Sequence, residues 1–493
     1  MTSPSRRGRS DFVLGWAAAI LCAAPLPGQD APGPAPALPA ATLDLRFRRV
    51  GPALMGGRVS DLAVVASNPS VFYVATATGG LWKTTDEATT WEVLFADEPD
   101  AVSLGAVAIA PTDPDLVWVG TGEPNNRQSS SWGNGVYRST DGGRSWRWMG
   151  LADSRHIARI VIDPTDPQVV FVAALGSLWG AGGERGIFRT RDGGAAWEPV
   201  LVVDENTGAT DLIMDPSNPR VLYAATYQRR RAPWGFNGGG PGSGIYRSTD
   251  AGNSWHLLGN GIPAGPLGRI GLAVHRGNPE ILYATIEHET EGGLYRSDDA
   301  GASWRRVSGT NPRPMYFSKV RVDPRDPDRV YVLAQALLVS EDGGATFLPT
   351  WSLHPDHHAL WIDPDDPSHL ISGNDGGVAI SHDRGRSWRS VDNMDLAQVY
   401  HVAFDTARPY RLYAGLQDNM AWVAPSASRS RLGIDDGAWS MVGEYDGFVT
   451  LPDPEDDRTL YTEAPGGRLF RVDRTTNERK LIQPRPGPGA PPY

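Results

Sequence analysis

One cysteine, Cys22, is all that this chain of 493 residues contains. A single cysteine cannot form an internal disulfide, and its position near the N-terminus rules out thiolate catalysis or a zinc–thiolate site elsewhere. The chain also has fewer positively than negatively charged side chains. Its 46 Lys and Arg residues and 57 Asp and Glu residues give a formal net charge of −11. Such an acidic surface argues against nucleic acid and anionic membranes as partners.

The chain also lacks an apolar run suited to crossing a membrane. The stretch at residues 12–26 is shorter than the roughly 20 residues that a membrane-spanning helix needs. It follows Arg6, Arg7 and Arg9, an order typical of an export signal. We therefore expect a signal peptide at residues 1–27 and a Pro/Ala-rich linker at 28–42. The protein is predicted to be secreted, periplasmic or cell-surface, with no membrane span.

Tryptophan is abundant, with 17 residues, and its positions are periodic. Six of them close an octapeptide of the form Ser/Thr-x-Asp-x-Gly-x-x-Trp, and the closing aromatic positions lie about 40–60 residues apart, the length of a four-stranded propeller blade. The octapeptides are TTDEATTW (84–91), STDGGRSW (139–146), TRDGGAAW (190–197), STDAGNSW (248–255), SDDAGASW (297–304), SEDGGATF (340–347) and SHDRGRSW (381–388). The first of them lacks the glycine, and the sixth has Phe in place of Trp.

Each repeat accommodates four strands. In the third repeat we predict strands at 158–162, 169–174, 186–190 and 197–203, with a DP-x-x-P turn after the first. The octapeptide then forms the turn between the third and fourth strands, where the Asp oxygens accept backbone N–H groups and glycine adopts a positive φ. Seven copies favour a structural role over seven active sites. The aspartates concerned are Asp86, Asp141, Asp192, Asp250, Asp299, Asp342 and Asp383.

Over residues 45–480 the sequence resembles the bacterial neuraminidase repeat (Asp-box) β-propeller superfamily. It is most similar to exported bacterial sortilin-like (Vps10-like) propellers, which are often labelled glycosyl hydrolase after tandem-propeller enzymes that cleave xyloglucan. A true sialidase is a poorer match, since no segment corresponds to the arginine triad of that family. The segments that carry the resemblance are RVGPALMGGRVSDLAV (49–64), GTGEPNNRQSS (120–130), HPDHHALWIDP (354–364), GNDGGV (373–378) and GLQDN (415–419).

The repeats predict an all-β fold, a β-propeller of four-stranded antiparallel blades. Seven Asp-box blades occupy residues 43–397. Residues 398–484 keep the rhythm of strands but lose the Asp box, so we interpret them as incomplete further blades that start a second propeller. A Pro-rich tail follows at 485–493. One propeller of nine or ten blades is the alternative.

Long insertions at 122–135, 176–186, 227–244 and 287–293 are expected on one face, opposite the Asp boxes. Loops on a rigid scaffold are where binding is usually found, although they can also be solvated insertions without a function. The side chains that we select as ligand-binding candidates are Asn126, Arg127, Trp179, Arg230 and Trp234.

A second candidate is the sequence His354-Pro-Asp-His-His358, at the start of the seventh inner strand. Alternation along a strand would put His354, Asp356 and His358 on one side. The three could then bind a divalent metal ion, or pair a carboxylate with a histidine base. A hydrogen-bonded structural plug is the alternative.

Three carboxylates form the third candidate: Glu123, Asp375 and Asp418, each in a loop of the same predicted face. Two of them could act as the acid and base of a glycosidase, which lie roughly 5–9 Å apart. Asp-Gly-Gly is also ordinary turn chemistry. The sequence thus favours an exported propeller that binds a protein or polysaccharide ligand through its loop-rich face. The alternative is a glycoside hydrolase resembling the xyloglucan-cleaving enzymes.

Overall fold

Short apolar segments separated by Gly, Pro and Asp turns fold into consecutive antiparallel sheets in a computed structural model of the protein. The structure describes residues 48, 50–51, 56–95, 98, 103–127, 130–431, 433–484 and 487. The predicted signal peptide and linker therefore lie outside the described residues, as does the tail at 485–493 apart from residue 487. The described residues from Val50 onward belong to one compact unit.

Each sheet, here called a blade, is a meander of strands paired in chain order. Blade 4 carries one additional strand, β15, that pairs only with β14. The strands of blades 1 to 4 are β1 (Val59–Val64), β2 (Phe72–Thr76), β3 (Leu81–Thr84), β4 (Glu92–Leu94), β5 (Leu104–Ala110), β6 (Asp113–Thr121), β7 (Val136–Ser139), β8 (Arg147–Trp148), β9 (Ile157–Ile162), β10 (Val170–Ala174), β11 (Gly186–Thr190), β12 (Glu198–Leu201), β13 (Thr207–Asp215), β14 (Asn218–Ala232), β15 (Gly235–Gly238), β16 (Gly244–Ser248) and β17 (His256–Leu258).

Five further four-stranded blades follow. Two short 3₁₀ helices, Ala152–Ser154 and Asp436–Ala438, are the only helical turns within the described ranges. The strands of blades 5 to 9 are β18 (Ile270–Val274), β19 (Leu282–Ile286), β20 (Gly293–Ser297), β21 (Arg305–Ser308), β22 (Lys319–Val322), β23 (Val330–Leu333), β24 (Leu337–Ser340), β25 (Leu348–Thr350), β26 (His357–Ile362), β27 (Leu370–Asn374), β28 (Gly377–Ser381), β29 (Arg389–Ser390), β30 (Val399–Phe404), β31 (Arg411–Leu416), β32 (Ala421–Pro425), β33 (Ser440–Gly443), β34 (Thr450–Pro452), β35 (Thr459–Ala464), β36 (Arg468–Asp473) and β37 (Arg479–Leu481).

The first strands of blades 1 to 7 surround a common axis. A cavity of about 470 Å³ is lined by residues of all seven, β1, β5, β9, β13, β18, β22 and β26. Strand β1 lies beside β26, so blade 1 meets blade 7 and these blades close a ring. A single ring of nine or ten blades would instead place a later blade beside β1. The predicted all-β propeller of four-stranded antiparallel blades is confirmed.

Burial follows position within each blade. All five residues of β10 are buried, because a middle strand is covered by a neighbouring blade on each face, whereas both residues of the outer strand β8 are exposed. The seam between blades 1 and 7 is apolar too: Phe72 and Val74 share one core cluster with Val378 and Ile380. This packing between blades is what stabilises a propeller.

The Asp-box turns have the hydrogen bonds expected of them. In the second box Asp141 Oδ1 accepts the N–H of Ser145 at 2.9 Å, and Ser139 Oγ accepts the N–H of Gly143 at 2.8 Å. Gly143 has a φ of +92°, a conformation that strains other residues. The next repeat's Trp197 lies edge-on to Trp118, with ring centroids 6.0 Å apart. This aromatic contact joins blade 2 to blade 3.

Blades 8 and 9 pack against each other around Tyr413, Leu460 and Val472. Strand β30 of blade 8, by contrast, exposes most of its residues, including Val402 and Phe404. First strands of the closed ring are largely buried, so this exposure marks a blade with no neighbouring blade on that side among the described residues.

One predicted loop is an ordered hairpin. The sequence predicts a long insertion at 227–244; in the structure β14 continues to Ala232 and pairs with β15, with Arg230 opposite Asn237. The guanidinium of Arg231 lies 4.4 Å from the ring centroid of Phe236 on the paired strand. Cross-strand pairs of this kind extend the strand where a repeat comparison predicts only a connection.

Candidate functional site

A buried arginine lies at the beginning of the first strand of the ring. Gly57, with a φ of +61°, leads into β1 and places Arg58 directly before it, where the arginine is 4% exposed. Its guanidinium contacts the three carboxylates selected from the sequence, Glu123, Asp375 and Asp418. Each carboxylate follows the second strand of its blade (β6, β27 and β31), which explains why all three reach the same face. We call these four residues the Arg58 site.

Asp375 has the strongest contacts in the site. Arg58 binds it with two nitrogens, Nε at 2.8 Å from Oδ1 and Nη2 at Oδ2, and His358 Nε2 lies 2.8 Å from Oδ1. Burial opposes ionisation of Asp375, yet its contacts with His358 and Arg58 hold its pKa well below the usual range. Asp375 is therefore a permanent anion, and at 1% exposure it is closed to solvent.

The His358 ring is neutral in this setting. Burial lowers its pKa to about 4. Its Nε2 donates to Asp375, which leaves Nδ1 to accept the amide of Asn125 at 3.3 Å. Phe317 stacks on the ring, with centroids 5.7 Å apart, and Tyr316 meets it edge-on. The histidine is thus held in one tautomer and orients Asp375.

Glu123 is an internal counter-ion. It is completely buried, its Oε1 accepts Arg58 Nη1 at 3.2 Å, and its Oε2 lies 3.5 Å from Arg127 Nη1. The backbone carbonyl of Glu123 accepts from His156 Nδ1 at 2.8 Å, which fixes the loop. A carboxylate with both oxygens used and no exposure has no route to a substrate.

Asp418 differs from the other two because it reaches solvent. Its side chain is 28% exposed, and its Oδ2 accepts Arg58 Nη2 at 3.1 Å and Gln417 Nε2 at 2.9 Å. Burial, followed by the negative charge of Asp375, raises the pKa of Asp418 to about 7; Arg58 opposes this shift without cancelling it. Asp418 therefore holds a proton close to neutral pH while Asp375 does not.

A further carboxylate and a pair of aromatic rings adjoin Asp418. The Oδ1 atom of Asp446 accepts the backbone N–H of Asp418 at 2.8 Å. Tyr400 stacks on Phe448 with a centroid distance of 5.1 Å and an interplanar angle of 3°. Burial and the neighbouring Asp446 raise the pKa of Tyr400 to about 12, yet the ring is 42% exposed. An exposed flat ring beside carboxylates is suited to stacking a sugar.

The predicted metal triad of His354, Asp356 and His358 is not assembled. Strand β26 begins at His357, and Asp356 has a φ of +63°, so the alternation that should align the three side chains does not apply. His354 Nε2 contacts the carbonyl of Asp418 at 3.1 Å, and Asp356 lies 3.7 Å from Arg313. Their donor atoms do not meet as a cluster in the described part of the chain. His358 pairs instead with Asp375, a carboxylate outside the predicted triad.

The five ligand-binding candidates separate into different places. Asn126 is buried and bonded to Tyr227 and Arg229, so it supports the loop and cannot contact a ligand. Arg127 lies next to the Arg58 site, where its guanidinium contacts Glu123 and donates to Gln417.

The other three candidates line two open cavities. Trp179, 48% exposed, shares a cavity of about 470 Å³ with Trp132. Arg230 and Trp234 line another of about 510 Å³, where the tryptophan is 90% exposed.

Sequence reasoning missed Arg58, Asp446 and the Tyr400–Phe448 stack. The position of Arg58 in its blade could have revealed it. Arg58 directly precedes β1, just as Asp356 directly precedes β26, the first strand of blade 7. No repeat pattern indicates Asp446 or the stacked rings, which lie where the Asp boxes have faded.

No helix among the described residues has the length and apolarity needed to cross a membrane. The Sortilin-Vps10 family model (sortilin, neurotensin receptor 3) matches residues 134–264. A xyloglucanase of Paenibacillus sp is 25% identical over 334 residues, which are 60% of this chain and 31% of the relative. A xyloglucanase of Acetivibrio thermocellus is 23% identical over 352 residues, 61% of this chain and 39% of the relative.

Among solved structures, the GH74 xyloglucanase of Xanthomonas campestris aligns with a TM-score of 0.59 and 18% identity, covering 90% of this chain and 76% of that one. At this identity the likeness shows the fold alone. The chain spans about a third of the length of the curated relatives it matches. The predicted resemblance is confirmed: this is a propeller similar to sortilin-like repeats and related to xyloglucanases.

Proposed function

We propose that the protein is a glycoside hydrolase that binds a polysaccharide over the Arg58 site and cleaves its glycosidic bonds. One observation carries the proposal: Asp418 is the carboxyl group of the site that both reaches solvent and keeps its proton near neutral pH. A carboxyl group with a raised pKa beside an ionised one is the arrangement by which glycosidases separate acid and base roles.

In the proposed reaction Asp418 donates its proton to the glycosidic oxygen as the bond from that oxygen to the anomeric carbon breaks. Water adds to the anomeric carbon, and its proton passes to Asp446, which is held beside Asp418 by the hydrogen bond that its Oδ1 accepts from the Asp418 backbone N–H. Asp375 takes no part in bond making. Burial of Asp418, together with the fixed negative charge of Asp375, keeps the proton on Asp418.

The relatives support a glycan substrate, since two of them are named xyloglucanases, although this chain spans only part of their length. The exposed ring of Tyr400, stacked on Phe448, supplies a flat surface for a pyranose within the same site. Xyloglucan is therefore the first substrate to test, followed by unbranched β-glucans.

The test is release of reducing ends from xyloglucan by the purified chain and by Asp418→Asn. We expect the substitution to reduce the rate by about 10² or more, as for loss of a general acid. Asp457→Asn is the matched control, because Asp457 is an exposed carboxylate with only distant partners, Arg411 and Arg474. No release by the native chain, or equal rates for native and Asp418→Asn, would refute the proposal.

Binding without cleavage is the second candidate function. Its support is the pair of tryptophan-lined cavities, around Trp179 and around Trp234, which hold exposed aromatic surface. Trp179→Ala would weaken retention on a glycan array or by a protein ligand, whereas Asp418→Asn would leave it unchanged.

A further inference from the structure

Three possible metal ligands meet on the Asp-box side of the ring. Glu87 is in the first Asp box, His382 is in the seventh, and His369 is in the DP turn of blade 7. Their donor atoms all lie within 4.8 Å of one another. Glu87 Oε1 is 2.7 Å from His382 Nε2 and 3.6 Å from His369 Nε2. Ligands of a tetrahedral zinc ion are about 3.3 Å apart, which is close to these spacings.

The three residues are departures from the repeat. Glu87 occupies a position with a φ of +58°, where three other boxes have glycine. His369 takes the place that Val169 has in blade 3. His382 stands between the Ser and the Asp of its box, where Thr140 stands in the second. None of these side chains is required by the turn itself, because the turn hydrogen bonds use the box Ser and Asp.

The buried member of the group has an unused nitrogen. His369 is 8% exposed, and its Nε2 makes no hydrogen bond to any part of the chain that the structure describes. Its other nitrogen, Nδ1, lies 3.7 Å from Asp363 Oδ2. A carboxylate on this side of the ring favours the tautomer in which Nδ1 carries the proton and Nε2 the lone pair, the arrangement common to histidines that bind metals. His369 and His382 are stacked with centroids 4.5 Å apart, which keeps both rings beside Glu87.

We propose that Glu87, His369 and His382 form a binding site for a divalent transition metal ion, with Zn²⁺ as the expected occupant. Two imidazoles and one carboxylate are ligands that Zn²⁺ accepts, and they are a poor set for Mg²⁺ or Ca²⁺, which prefer oxygen. A fourth position is left for water. The site is separate from the Arg58 site and does not depend on the proposed function.

The position of the site indicates its role. Glu87 belongs to blade 1 and both histidines to blade 7, so the metal joins the first and last blades of the ring. The same seam is joined by Arg389, which donates to the Glu87 carbonyl at 2.8 Å, and by Asn393 with Trp91 at 2.9 Å. A metal that binds only when both blades are in place stabilises the closed ring by mass action.

The experiment is titration of the metal-free full chain with Zn²⁺, by calorimetry and by thermal melting. We expect one high-affinity Zn²⁺ per chain, a melting temperature that rises with Zn²⁺ concentration, and no such rise with Mg²⁺. His382→Ala should weaken binding at least about tenfold and abolish the rise. His382 has a 60% exposed side chain, so the variant is expected to fold. His256→Ala, which removes an exposed histidine of β17, is the control that should bind as the native chain does.

A second variant distinguishes loss of metal binding from misfolding. Glu87→Gly restores the glycine found in other boxes at a positive φ, so it should melt no lower than the native chain without metal. With Zn²⁺ it should show no rise in melting temperature. The proposal is overturned if the native chain binds no Zn²⁺ stoichiometrically, or if both variants bind it as tightly as the native chain.

Discussion

The Nε atom of Arg58 lies 2.8 Å from Oδ1 of Asp375, although 317 residues separate the two in the sequence. Arg58 precedes the first strand of blade 1, and Asp375 lies between the second and third strands of blade 7, so this ion pair crosses the seam of the ring. The contact organises the candidate site, because Glu123 and Asp418 bind the same guanidinium. Closure of the ring therefore brings Arg58 and Asp375 together, and Asp418 of blade 8 completes the site.

Arg58→Met should strongly destabilise the protein. The variant keeps most of the side-chain volume but leaves the buried Asp375 and Glu123 without their cation, a loss of about 3–5 kcal/mol in the free energy of unfolding. Urea denaturation measures it. Arg305→Met is the control, since the Arg305 side chain is 58% exposed, and it should change the value by less than about 0.5 kcal/mol. Equal stabilities of the two variants would show that the buried cluster is unimportant.

The stability of Asp418→Asn relative to the native chain should increase as the pH rises. The folded-state pKa of Asp418 is about 7, against an ordinary value of 3.8. Between about pH 4 and 7 the folded protein keeps a proton that the unfolded chain releases, so raising the pH through this window lowers native stability. The asparagine variant has no ionisable group at this position, so its stability does not fall in this way as the pH rises. The stability difference, variant minus native, should grow from pH 4 to 7 and level off above; a difference independent of pH would contradict the raised pKa.

Asp141→Ala should lower the melting temperature and leave glycan recognition intact. The carboxylate accepts the N–H and the hydroxyl of Ser145 and the hydroxyl of Ser139, all inside one turn. Thr140→Ala, at the adjacent exposed position, is the control and should melt like the native chain. If Asp141→Ala melted normally yet no longer bound the glycan, the aspartates of the boxes would be ligand contacts instead.

Blades 8 and 9 should be the least stable part of the protein. Val402 and Phe404 on β30 are 59% and 73% exposed, so this blade buries less apolar surface than the blades of the ring. Limited proteolysis is expected to release a core that ends near residue 395. Equal resistance of the chain through residue 480 would argue for a single cooperative unit.

The repeat made the fold predictable from the sequence. Strand β11 begins and ends at the residues predicted for it, 186–190, and β9 differs by one residue from 158–162. Local turn chemistry and alternation determine these elements, and both are visible in a short window of sequence.

The candidate functional site could be predicted only in part from the sequence. Its carboxylates could be selected because they follow equivalent strands, but their arrangement depends on Arg58, whose partners are distant in sequence. His354 and Asp356 were misassigned because one residue with a positive φ breaks the alternation on which the metal prediction relied. Asn126 was misassigned because burial depends on how neighbouring blades meet, which no single repeat encodes.

The most direct test of Asp418 as the general acid is the pH dependence of xyloglucan cleavage by the native chain and by Asp418→Asn. If Asp418 donates the proton, kcat/KM of the native chain should fall as the pH rises through about 7, where this group loses it. The asparagine variant should be slower by about 10² or more and should lose that limb of the profile. A native rate that is flat from pH 6 to 8, or the same limb in both proteins, would contradict the assignment of Asp418 as the acid.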